Sequence, residues 1–197
     1  MTIETMYGPH FAKQYVNNYL QTDIPIRIIT YRNSWNLDSE SLPTPIDFLT
    51  YEPIALDTWP TIITVAISTR SFNRDNYIGN YDPKYSVIYT MRTYIWVKTE
   101  GSEDATLMRD RLTTVVRSAL LDYPCLRRTD EARAARIYEE SMTEEYSDLT
   151  LLKGDRVMAG AYLGYDIELE EVIAREAYGE VAEFDFEVMT MEEISEL

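Results

Sequence analysis

From residue 85 to residue 97 the odd positions Tyr85, Val87, Tyr89, Met91, Ile95 and Val97 are apolar, with Thr93 the single polar member. The even positions mix Ser86, Ile88, Thr90, Arg92, Tyr94 and Trp96. Alternation of that length predicts a half-buried strand with its odd side chains in the core. A polar break with acids at Glu103 and Asp104 follows, where a helix N-terminus favours negative charge, and Met108, Leu112, Val115, Val116 and Ala119 then recur at helical spacing. Pro124 forbids continuation much beyond Asp122. Residues 61–69, rich in Ile, Val and Thr with both faces apolar, predict a central strand covered on both sides. Residues 161–169 and 181–188 alternate again, with Asp166, Glu168 and Glu170 on the polar side of the first and Glu183, Asp185 and Glu187 on that of the second.

The rest of the chain is less regular. Gly8-Pro9 opens a predicted helix over 10–21, with Phe11, Tyr15 and Tyr19 on one face, ended by Asp23 and Pro25. Ile24, Ile26 and Ile28 then suggest a strand over 24–31. Residues 32–60 show little periodicity and read as an extended arm that either caps its own core or docks elsewhere. Residues 71–84 are turn chemistry, the tip of a long hairpin. A short helix is predicted over 130–140, connection over 141–155, and a short acidic tail after 188. Together these predict a single α+β domain over 1–197: a mixed or antiparallel sheet of about five strands flanked by helices, with an acidic strand pair and tail over 158–197.

Charge sharpens this picture. Of the formal net charge of −16, most lies in residues 158–197, which hold twelve acids and one base, Arg175. Affinity for nucleic acid comes mainly from Lys and Arg neutralising phosphates, so this segment opposes binding. It suits either a passage through which DNA slides or a surface that mimics DNA towards a basic partner. No apolar run is long enough to span a bilayer, and the start shows no secretory pattern, so assembly in the cytoplasm is expected.

Candidate chemistry is sparse. No phosphate-binding loop, dinucleotide fingerprint or nucleophile elbow is present. The single His10, at a helix start, is a weak candidate base, and the single Cys125 reads as a small buried hydrophobe. The six carboxylates on the two strand faces read as an exposed acidic surface, with a Ca²⁺ or Mg²⁺ site as the lesser alternative. No cofactor or metal is expected. Phe72, Tyr77, Ile78 and Tyr81 on the tip, with Trp35 in the arm, are candidate subunit contacts; Arg127, Arg128, Arg133 and Arg136 form either a solvated face or a docking patch.

The order over 59–126 is a strand after Trp59-Pro60, a hairpin into a strand ending Tyr94-Ile95-Trp96-Val97-Lys98, an acidic turn, and a helix through Leu112 and Val116. With a helix before the first strand and two late strands, it resembles the tail terminator and tail-completion proteins of tailed bacteriophages. The resemblance implies a structural, non-enzymatic virion protein that forms a hexameric ring. Such a ring caps the tail tube and joins it to the head-tail connector, with DNA passing through an acidic lumen. An adaptor, stopper or sheath-contacting neck protein, or an acidic inhibitor mimicking DNA, are the alternatives.

Overall fold

The computed structural model describes residues 8–172 apart from 54, 75–83, 123–125, 127–134, 148 and 152–155. In chain order it contains α1 (Pro9–Trp35), β1 (Asp47–Leu49), β2 (Thr61–Arg74), β3 (Lys84–Thr99), α2 (Ser102–Asp122), β4 (Ala135–Tyr146), β5 (Thr150–Leu151) and β6 (Val157–Val172). The strands form one mixed sheet in the order β1-β2-β3-β6-β4, with the two-residue β5 also on β6. β1 runs parallel to β2 and every other pairing is antiparallel. This is the α+β class that the alternation predicts.

The core lies between the two helices and one face of the sheet. The odd positions of β3 from Val87 to Val97, and those of β6 from Ala159 to Leu169, are buried, as the period-two pattern requires. α2 covers them with Ala105, Leu112, Val115, Val116, Ala119 and Leu120. The expected start and end of this helix agree with the structure. No helix among the described residues is long and apolar enough to cross a membrane.

Several expectations are overturned. α1 does not stop at Asp23: it continues through Pro25 to Trp35, so the strand expected over 24–31 is helix. Its buried stripe is Ala12, Val16, Leu20, Ile24 and Ile28, at a constant spacing of four, while Ile26 is exposed. A proline inside a helix costs about 3 kcal/mol. Extension past it buries Ile28, at about 1.5–3 kcal/mol, and carries Arg27 onto Asp23 and Asp122, which together offset the break. The helix closes on Asn36, whose left-handed backbone lets Leu37 N–H donate to the Arg32 carbonyl at 2.9 Å.

The helix expected over 130–140 is, from Ala135 onward, the edge strand β4, which also takes in the first part of the expected connection. Ala135 and Ile137 alternate with Arg136 and Tyr138 and pack beside Leu169 and Ile167 of β6. That short period-two signal outweighs the mixed charge, which an edge strand carries in water without cost.

The arm over 32–60 is tied to its own core. Leu42 is fully buried, Arg32 Nε donates to the Leu42 carbonyl at 2.8 Å, Arg111 donates to the Ser41 carbonyl at 3.0 Å, and Phe48 sits in β1 beside Ile62. The expected tip over 71–84 is shorter, because β2 runs to Arg74. β2 is central only in its first half: Thr61 to Val65 are buried, whereas positions 67–70 are exposed.

Candidate functional site

With both helices on one face, the opposite face of the sheet carries the even side chains of β3 and β6 and no helix among the described residues. Two hollows lie on it. The lower, about 480 Å³, is walled by the segment around Pro53, Leu56 and Trp59 and floored by Ile63, Tyr94, Trp96 and Met158. Lys98 places its ammonium 5.6 Å from the centroid of the Trp59 ring. The Trp96 ring can lie flat on β6 because Gly160, its register partner, has no side chain.

The upper hollow, about 410 Å³, mixes polar and apolar side chains and joins β2, β3, β6 and β4. Arg92 stacks on Tyr162 with 4.3 Å from guanidinium carbon to ring centroid, and donates to Tyr94 OH at 3.3 Å. Asp166, only 6% exposed, accepts from Arg70 and from Thr90 Oγ at 2.8 Å, while its own N–H donates to Ser141 Oγ at 2.8 Å. Glu168 accepts from Ser86 Oγ and from Tyr138 OH at 2.8 Å.

Those donors fix the electrostatics. The Ser86 and Tyr138 hydroxyls hold the Glu168 carboxyl below its usual range, against a smaller opposing effect of burial. Because the folded value is depressed, the stabilisation is complete above the unfolded carboxylate value of about 4.3 and is lost as pH falls through the folded one. Glu168→Gln is therefore expected to flatten the acid limb of melting temperature against pH between about pH 5 and pH 2. Parallel acid limbs for variant and wild type would refute the role of these bonds.

On the core side, Glu171 is a buried carboxylate, 4% exposed, that accepts from Tyr89 OH at 2.5 Å and from the N–H of Gly8 at 3.1 Å. Burial first, and then this carboxylate, push the Tyr89 hydroxyl well above its ordinary value. Burial does the same to Tyr165, which shares a 2.9 Å hydrogen bond with Thr93. The Glu171 bonds tie the end of β6 to β3 and to the residue before α1, and the Tyr165–Thr93 bond joins the middles of β6 and β3; both phenols are locked as hydrogen-bonding groups.

The expected acidic face is thus only partly free. Asp166 is enclosed, Glu168 is half-buried, and Glu170 is exposed; Glu183, Asp185 and Glu187, with the strand over 181–188, lie outside the described residues. Of the candidate contacts, Phe72 stands 60% exposed on β2, edge-on to Tyr85, and Trp35 is 39% exposed against Tyr31 at the end of α1. Tyr77, Ile78 and Tyr81 lie outside the described residues, as do Arg127, Arg128, Arg133 and Cys125. Arg136 is exposed on β4, over the Tyr138 ring. His10 is exposed in the first turn of α1.

Among the described residues no group of three or more His, Cys, Asp or Glu side chains is placed to hold a metal ion. The Arg92–Tyr94–Tyr162 cluster and the Arg70–Asp166 pair were not anticipated. The first had a signal, Arg and aromatics alternating on the even side of β3, but its partner on β6 required the register. The face offers aromatic rings, the arginines Arg70, Arg92 and Arg136, and saturated carboxylates, a set suited to recognition of another surface. Comparison of the chain with protein-family models and with curated proteins found no match.

Proposed function

We propose that this chain is a structural subunit of a tailed-phage neck, a tail terminator whose homo-oligomeric ring, of about six copies, caps the tail tube and joins it to the head-tail connector. The ring would be assembled in the host cytoplasm and carried in the virion, with DNA in passage and no sequence-specific contact. The observation that carries this reading is the element order. Helix, strand hairpin, helix and late strand, on which the resemblance rests, is the order in which the sheet is built. Among the described residues, helices cover one face of the sheet and leave the other face and both edges for neighbours, which is what a ring stacked between other rings needs. The low affinity of an acidic chain for phosphates fits passage of DNA without retention.

Light scattering across a concentration series tests it. The expected result is a closed species near about six times the 23.0 kDa subunit mass, or a mass that climbs towards it, seen as rings by electron microscopy. A species that stays at the subunit mass at every concentration and salt would refute self-assembly.

A further inference from the structure

A ring needs two surfaces that fit each other, and the inference that follows rests on the ring reading. On its outer side β2 is paired only at Thr61, Ile62 and Ile63, by β1. From Thr64 to Arg74 that side has no strand partner among the described residues. This half-strand carries Arg70, Arg74 and no acid, and it exposes Ile67 at 48% and Phe72 at 60%. A long uncovered edge with apolar side chains is a template for another chain, and folded proteins cover or charge such edges. Among the described residues β4 ends the sheet on the other side, and its composition is the converse: Glu139, Glu140, Glu144 and Glu145 against Arg136 alone.

We propose that the outer half of β2 in one subunit pairs with β4 of the next copy, so that the sheet runs on from subunit to subunit. β2 and β3, β3 and β6, and β6 and β4 are each antiparallel, so β2 and β4 point in opposite directions. A neighbour added in the same sense therefore meets β2 as an antiparallel partner, the geometry of strand addition. A pairing that sets Phe72 opposite Met142 brings Arg74 to Glu140 and Arg70, which also holds Asp166, towards Glu145. The two edges differ, so the contact is heterologous, and repetition by rotation closes a ring. Register shifts at Ala66/Ser68 and Thr69/Ser71 in β2, and between Tyr138 and Thr143 in β4, bend both edges away from a flat sheet, as closure requires.

The experiment uses two full-length variants changed at exposed positions, Phe72→Glu with Arg74→Glu on β2, and Glu140→Arg with Glu145→Arg on β4, each checked for wild-type melting temperature. Each alone is expected to fall from ring mass to the 23.0 kDa subunit, because each sets like charges across the contact. Mixed one to one, they are expected to regain ring mass, because opposite charges face each other again at every joint. If the wild type forms rings and either variant alone still does, the contact lies elsewhere and the proposal fails while the ring stands. If the wild type never assembles, the ring reading falls and this contact with it. Should a variant fail to fold, Ser68→Cys with Glu145→Cys in a chain carrying Cys125→Ser replaces it. Oxidation must then give a covalent ladder from dimer upward, and monomer alone overturns the proposal.

Discussion

Replacing Arg27 by Ala is expected to lower the stability of the folded chain by about 3–5 kcal/mol, the cost of breaking a buried ion pair from one side. Arg27 sits one turn after Asp23 on α1 and reaches both that carboxylate and Asp122 at the end of α2. The two contacts differ in weight. The Asp23 side chain is 1% exposed and that of Asp122 is 58% exposed, so water already solvates the second. Removing the guanidinium takes a charge partner from a carboxylate that cannot reach solvent. Asp122→Asn, by contrast, should cost under about 1 kcal/mol, the range of exposed pairs. Replacing both buried partners together, Arg27→Leu with Asp23→Leu, should recover most of the loss, because an apolar pair of similar volume avoids desolvating charge altogether. Urea unfolding at one fixed protein concentration is the measurement, since an assembling chain gains apparent stability with concentration. An Arg27→Ala cost no larger than that of Asp122→Asn would show that the pair does not hold α1 to α2.

That pair also shows where the sequence stopped being legible. Asp23 and Pro25 together read as a helix end, and by local rules they are one. What keeps the helix going is the spacing of Val16, Leu20, Ile24 and Ile28 against a sheet that lies elsewhere in the chain, together with Asp122, nearly a hundred residues on. Ile24, Ile26 and Ile28 fit a strand equally well on paper, and only burial of the first and third against the core decides between the periods. β4 failed for the same reason in reverse. Two inward positions, Ala135 and Ile137, are too few to outvote a charged run until β6 is known to lie beside them.

The long elements were legible because each carries its own vote many times over. β3 and β6 repeat one period across their whole length, and α2 has acids in its first turn and a full apolar stripe. The acidic strand face shows the limit of such patterns. Alternation correctly puts Asp166 and Glu168 on the side away from the helices, but that side is not equivalent to solvent. Arg70 and Thr90 enclose the first, and Ser86 and Tyr138 hold the second, through pairings that cross two strand boundaries. Face can be read from period; accessibility depends on neighbours that only the register supplies.

Register also makes Gly160→Val the second substitution of large effect, with an expected loss at the upper end of the range of about 1–3 kcal/mol for overpacking. A side chain built on Gly160 would bring its Cβ to 2.4 Å from Cζ3 and 2.6 Å from Cε3 of Trp96, closer than non-bonded atoms can approach. The backbone has little room to yield, because Gly160 donates to Ser147 Oγ and accepts from Ser147 N–H, both at 2.9 Å. The indole must therefore leave its seat, and with it goes the floor of the lower hollow. If that steric conflict is the whole cause, the same substitution in a Trp96→Leu background should cost far less than in the wild type. A double-mutant cycle measured by urea unfolding then returns a coupling of at least about 1 kcal/mol between the two positions. Equal costs in both backgrounds would refute the conflict. Because Trp96 lies on the interior strand β3 and not on either edge assigned to subunit contact, the folded Gly160→Val chain should still assemble, whereas Phe72→Glu with Arg74→Glu is expected to leave the hollow intact and to abolish assembly. The face and the edges of the sheet would then be separable functions, one for whatever docks along the ring axis and the other for closing the ring.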